Sequence, residues 1–250
     1  MIRALARPYL VVAYYLSWVT FGAVGLALNL GSILLLPLPH SPARERRARS
    51  LIRWLFDWWV RWFHATGTLR IVWKNFPPDL PAGTVYVANH PSLVDAPIVL
   101  ARLPDAICIF KPALMRNPAI GPAAILAGYA AGQAGVDLVR EVADKVAGGR
   151  SLLIFPEGTR TAPGTRLGPL RPGFALIAHR AQAPVQLLVI RASRGLVPRG
   201  RAWWRVPPLP GRIEITLDRR WDHDPARAPL ALAAEIEEHL RRRVPEPVSG

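Results

Sequence analysis

Between positions 8 and 38 no side chain is charged, and Leu, Val, Ala and aromatic residues dominate. About 20 apolar residues suffice for a helix to cross a hydrocarbon core, so this run predicts a membrane-anchoring helix. Arg3 and Arg7 precede it, and Arg44, Arg46, Arg47 and Arg49 follow. A secretory signal shares the basic-then-apolar order, but its apolar core is shorter and ends at a small-residue cleavage site. A re-entrant hairpin broken near Asn29 and Gly31 is the alternative geometry for the same run.

The pattern then changes period. Arg46, Arg49, Arg53, Asp57, Arg61 and His64 recur every three or four positions, opposite Leu51, Leu55, Trp58, Trp59, Trp62 and Phe63. That spacing predicts an amphipathic helix, and a basic stripe facing tryptophans suits the headgroup zone of a bilayer. The alternative is a helix packed on the following domain. If the interfacial reading holds, deleting residues 1–64 releases a soluble remainder.

Past Pro77, Pro78 and Pro81 short apolar runs alternate with helical patterns. Buried strands are predicted at 85–88, 106–110, 152–155 and 185–190, and Ile213, Ile215 and Leu217 alternate as a half-exposed strand would. Helices are predicted at 137–147, stopped by Gly148 and Gly149, and at 230–243, with its basic end matching the helix dipole. This order predicts one α/β domain, a mixed sheet flanked by helices. The expected division is therefore a hydrophobic anchor at 1–43, an interfacial helix at 44–68 and an α/β domain at 69–250.

Composition sharpens the membrane reading. Of the 250 residues 51% are hydrophobic and 20% charged, and the formal net charge is +15. Such a charge calls for an acidic partner. The arginines are dispersed, with no zinc-finger spacing, basic zipper or aromatic RNA-binding signature, so nucleic acid is excluded in favour of membrane lipids and an anionic bilayer surface. A single cysteine, Cys108, rules out an internal disulfide and suits a cytoplasm-facing domain. His40, His64, His179, His223 and His239 show no ligand spacing, so no metal is expected. Nothing in the pattern specifies an oligomeric state.

Two segments carry chemistry. Asn89-His90-Pro91-Ser92-Leu93-Val94-Asp95 follows the strand ending at Ala88. There a carboxylate five residues on can bond the imidazole, fix its tautomer and raise its basicity. Alternatively Asp95 caps a helix and His90 is a surface residue. Phe155-Pro156-Glu157-Gly158-Thr159-Arg160 follows another strand. Glycine permits close backbone approach, Thr159 and Arg160 offer donors to a phosphate, and Glu157 either orients Arg160 or bonds an acceptor hydroxyl.

Taken together, Asn-His-Pro-Ser-x-x-Asp and Phe-Pro-Glu-Gly-Thr-Arg resemble the glycerolipid acyltransferase family that includes the 1-acylglycerol-3-phosphate acyltransferases. The resemblance covers roughly positions 81–190. It implies His90 and Asp95 as a catalytic dyad, with Glu157, Gly158, Thr159 and Arg160 at the acceptor, and Lys111 as a lysine the family often places there. It also implies acyl-CoA or acyl-carrier protein as donor, no metal or other cofactor, no covalent acyl-enzyme, and lysophosphatidic acid as default acceptor in phospholipid biosynthesis. Two departures stand out. The stretch Gly128-Tyr129-Ala130-Ala131-Gly132-Gln133-Ala134-Gly135 has no arginine, and Gln186 stands where a second proline is usual. Arg140, Arg166 and Arg171 are the available substitutes for that charge, and an acceptor other than a glycerophosphate is the alternative.

Rival classes fit less well. A serine hydrolase would need a Gly-x-Ser-x-Gly elbow, which is absent, and Cys108 lies within an apolar strand where an inert thiol belongs. A non-catalytic protein binding anionic membranes accounts for charge and tryptophans but leaves the His90/Asp95 and Glu157/Arg160 pairings unused.

Overall fold

A computed structural model describes residues 2–39, 41–132, 135–193 and 195–244, with side chains from position 7 onward. His40 of the scattered histidines, and Gln133 and Ala134 of the arginine-free stretch, lie outside the described residues. In chain order the elements are α1 (Ile2–Leu35), α2 (Pro42–Thr66), β1 (Leu69–Lys74), β2 (Val85–Ala88), α3 (Asp95–Arg102), β3 (Ala106–Phe110), α4 (Pro112–Met115), α5 (Gly121–Leu126), β4 (Ala130–Ala131), α6 (Val136–Ala147), β5 (Ser151–Ile154), α7 (Gly173–Ala181), β6 (Val185–Ala192), β7 (Gly211–Trp221) and α8 (Pro229–Arg243).

The strands form one mixed sheet in the order β1-β7-β6-β2-β5-β3-β4, parallel at every step except β6–β7. The predicted strands and helices all form, within a few residues of their expected ends. β1 and β4 were not anticipated. β4 has two alanines and no periodicity to read, and β1 finds its parallel partner only at Gly211–Trp221. Right-handed crossovers that step outward from β2 to β3 and back inward through β5 to β6 put α3 and α5 on one face of the sheet and α6 and α7 on the other. Packing agrees: α2 lies on α3 and α1 on α5, while α6, α7 and α8 form the second row.

α1 is one unbroken helix, so the hairpin alternative does not form. Its residues 7–35 are long and apolar enough to cross a membrane. Asn29 docks the helix instead of breaking it: its Nδ2 donates to the Gly25 carbonyl (2.8 Å) and its Oδ1 accepts the Ala123 N–H of α5 (3.0 Å). A polar side chain that finds partners in this way is no breaker.

α2 begins with Pro42 at a first-turn position that needs no N–H, and ends at Gly67 in the left-handed region (φ 68°), whose N–H returns to the His64 carbonyl. Here the structure assigns part of the apolar face to the domain core. Trp59 and Phe63 are 1% and 3% exposed, part of the domain core, and Phe21 of α1 stacks on Trp59 at 4.1 Å. Nor is the basic stripe wholly solvated. Arg49 is buried, with both Asp105 oxygens (2.6 and 3.2 Å) and the Ala127 carbonyl (2.8 Å) as partners. Leu51 and Trp54 alone of the large apolar residues of α2 stay well exposed. Helical periodicity shows that a face is apolar but not what covers it.

Because α2 supplies core, residues 1–64 are not a detachable anchor. Their deletion should give aggregated or molten protein in place of a soluble domain, checked by sedimentation and near-UV circular dichroism. A soluble, cooperatively melting remainder would contradict this packing.

Candidate active site

β2, β5 and β3 are adjacent and parallel, so their C-terminal ends share one edge of the sheet, where open α/β folds place their sites. His90 follows β2, the 155–160 segment follows β5, and Lys111 follows β3. Topology thus gathers three stretches distant in sequence.

The β2 end is pinned first. Asn89, 2% exposed, exchanges two side-chain hydrogen bonds of 2.8 Å with the Ile190 backbone, acting as an extra rung between β2 and β6. His90 is then held on both sides of its backbone. Its N–H donates to Glu157 Oε1 (2.9 Å), and its carbonyl accepts the Thr161 N–H (2.8 Å).

The imidazole stacks on Phe155 at 4.1 Å, and its Nδ1 lies 3.1 Å from Asp95 Oδ2. Asp95 opens α3 and is fully buried, and the same oxygen accepts the Ser92 N–H at 2.7 Å. Burial pushes the Asp95 carboxyl above the usual carboxylate range, while the bond and charge of His90 and the Ser92 N–H pull it back. With Nδ1 engaged, Nε2 is the nitrogen left to meet a substrate. The capping alternative is not what forms: the N-cap of α3 is Val94, which makes no side-chain capping bond, and Asp95 in the first turn bonds the His90 ring and the Ser92 N–H instead.

Glu157 is bonded to loops around it and not to its motif neighbour Arg160. Its carboxylate is 7% exposed and receives the His90 N–H, the Thr161 hydroxyl at 3.0 Å and the Gly168 N–H at 2.9 Å. A Cβ on Gly168 would lie 3.0 Å from Oε2, which is why glycine stands there. The residue braces loops and does not orient Arg160. Arg160 instead donates through Nη1 to the carbonyls of Val197 (3.2 Å) and Pro198 (3.0 Å), which leave its charge uncompensated. Gly158 turns the chain with φ 67°, and any Cβ there would touch the Arg171 guanidinium at 3.4 Å.

His90, Lys111, Gly158, Thr159, Arg160 and Arg171 all line one cleft of about 580 Å³. Its remaining walls are largely apolar, with Ile109, Phe110, Leu138, Val139 and Ile177 among them. Of the three arginines considered as substitutes only Arg171 lines this cleft. Arg166 bonds the Val244 carbonyl at 2.5 Å, and Arg140 is exposed beside Asp137. The Gln186 departure is a matter of sheet structure: Nε2 bonds the Asp218 and Arg219 carbonyls beside a register shift between β6 and β7. Cys108 is buried and its thiol pushed up to about 12, which suits an inert wall residue. Among the described residues no group of three or more metal-binding side chains occurs.

Residues 73–191 match the family model described as Acyltransferase. The chain carries an acyltransferase domain. Its likeness extends to 1-acyl-sn-glycerol-3-phosphate acyltransferases. One from Cocos nucifera is 28% identical over 179 residues, 66% of this chain and 53% of that protein. One from Helicobacter pylori is 34% identical over 110 residues, 42% of this chain and 46% of that protein. The chain thus spans about half the length of these curated relatives. In fold it is similar to the crystal structure of the 1-acyl-sn-glycerophosphate acyltransferase PlsC from Thermotoga maritima. The TM-score is 0.71 with 23% identity, covering 97% of this chain and 96% of that one.

Asp95→Asn tests the buried carboxylate of this acyltransferase domain. A carboxyl whose folded pKa is raised contributes stability below its unfolded pKa and loses it as pH rises through the folded value. The Asn variant lacks that loss. Its Tm relative to wild type should therefore climb from acid to neutral pH, measured by thermal scans in detergent; a relative Tm falling with pH would overturn the assignment.

Proposed function

We propose that the protein transfers a fatty acyl group from an acyl thioester, acyl-CoA or acyl-carrier protein, to the free hydroxyl of a 1-acylglycerol-3-phosphate, giving phosphatidic acid. What carries this reading is the His90–Asp95 pair at the edge of a cleft whose walls are apolar and whose other charges are cationic. An apolar wall suits acyl chains, and Lys111, Arg160 and Arg171 suit a phosphate monoester. The activity for which the similar plant and bacterial proteins are named supports the same acceptor.

In the proposed reaction His90 Nε2 takes the proton of the acceptor hydroxyl as its oxygen adds to the thioester carbonyl carbon. Asp95 holds the ring tautomer and stabilises the imidazolium. Collapse of the tetrahedral intermediate breaks the carbon–sulfur bond, and the proton passes from His90 to the departing thiolate. No acyl-enzyme is needed, because acceptor and donor meet directly. Glu157 acts in this scheme through position alone, by holding the His90 backbone. The reading also carries a membrane location, with α1 in the bilayer and the catalytic domain on the cytoplasmic side.

The deciding assay is acyl transfer by detergent-solubilised protein with labelled acyl-CoA or acyl-carrier protein and lysophosphatidic acid. General-base catalysis is worth about 10²–10⁴ in rate, so His90→Ala should lose at least that much in kcat with its fold intact. Near-full activity in that variant would remove the dyad from the mechanism. His90-dependent product formed from a lipid extract but not from lysophosphatidic acid would move the acceptor to another hydroxyl lipid. No transfer at all would favour the membrane-binding reading.

Arg160→Ala and Arg171→Ala each remove a charged donor worth roughly 1.5–3 kcal/mol, so the KM for lysophosphatidic acid should rise about 10- to 100-fold with the donor KM unchanged. An effect confined to the donor would relocate the phosphate site.

A further inference from the structure

The connection between β6 and β7 plays no part in the proposed reaction, yet residues 195–208 contain Arg199, Arg201 and Arg205 around Trp203 and Trp204, with no acidic residue. Burying tryptophan is the usual outcome in a soluble core, but here Trp203 and Trp204 are 41% and 58% exposed. Arg199 and Arg205 are exposed, and among the described residues Arg201 bonds the carbonyls of Arg205 and Val206.

The loop is fastened to α1. The Tyr14 hydroxyl donates to the Trp203 carbonyl, the Tyr15 hydroxyl to the Trp204 carbonyl at 2.9 Å, and the Trp18 and Trp203 rings lie 5.3 Å apart. On α1 itself Val12, Leu16 and Val19 are exposed at 65%, 44% and 64%, so the two tryptophans stand beside an apolar surface that none of the described residues covers. Indole rings favour the boundary between hydrocarbon and headgroup, and arginines are drawn to an anionic lipid surface.

We infer that residues 195–208 form a second bilayer contact, separate from the N-terminal helices, in which Trp203 and Trp204 enter the boundary zone and the flanking arginines meet anionic lipid phosphates. This rests on the reading of α1 as a membrane helix. It has a bearing on the cleft, because the same loop presents the Val197 and Pro198 carbonyls that hold Arg160. The depth of the loop in the bilayer then fixes the depth at which Arg160 waits for a lipid phosphate.

The test uses the full chain in vesicles and an environment-sensitive fluorophore on an introduced cysteine; buried Cys108 stays unlabelled, as wild type in the same reaction verifies. Labels are placed at Trp204→Cys and, in case that variant misfolds, at Arg205→Cys. Val19→Cys on α1 and exposed Ala234→Cys on α8 are the references. The label at 204 or 205 should shift to the blue, brighten several-fold and be quenched by nitroxide lipid, more strongly in phosphatidylglycerol-containing vesicles than in pure phosphatidylcholine. Position 234 should stay water-like. Water-like emission at 204 and 205 beside an embedded 19 overturns the inference while sparing the α1 reading; water-like emission at all positions overturns both. Equal signals in neutral and anionic vesicles overturn the role of the arginines.

Discussion

One buried carboxylate organises the catalytic edge. Glu157 gathers an N–H from the β2 loop, an N–H from the turn at Gly168 and a hydroxyl from its own loop, and the Thr161 N–H closes the clasp on the His90 carbonyl. Hydrogen bonds to a charged, water-excluded acceptor are stronger than neutral ones, and leaving any of these donors unpaired would cost roughly 1–3 kcal/mol. The imidazole therefore has little freedom before any substrate arrives. Its backbone is clamped, one face lies on Phe155 and Nδ1 is tied to Asp95. Such preorganisation is what general-base catalysis requires, because a misplaced base loses its advantage quickly.

The electrostatics divide between two levels. The carboxylates, Asp95 and Glu157, are buried beside the cleft; both Glu157 oxygens are bonded by protein donors, whereas Asp95 is bonded through Oδ2 and its buried Oδ1 has no partner among the described residues. The cations Lys111, Arg160 and Arg171 reach its walls. An anion entering the cleft meets positive charge first. A net charge of +15 works in the same direction at long range.

How much of this could be read from the sequence depended on the range of each interaction. Strands β2, β3, β5 and β6 were legible because apolar runs bounded by turns are local signals, and His90 with Asp95 because five residues separate them. Arg171 could be narrowed only to one of three arginines, since its approach to Gly158 is set by tertiary packing. The partners of Glu157 were out of reach for a related reason: its motif neighbours are Gly158 and Arg160, but it bonds His90, Thr161 and Gly168. Trp59 and Phe63 looked interfacial because an amphipathic pattern has the same period whether lipid or protein covers the apolar side.

The edge strand β1 carries a consequence for how the protein is made. It ends at Lys74, but the strand it pairs with begins only at Gly211. Translation at about 5–20 residues per second leaves several seconds in which β1 has left the ribosome while its partner strand does not yet exist. α2, which packs on β1, is then seated on an unpaired strand, and the exposed apolar residues of α1 are open as well. A bilayer would shelter that surface, so on the membrane reading the nascent chain has reason to meet its lipid before the edge that carries His90 is assembled.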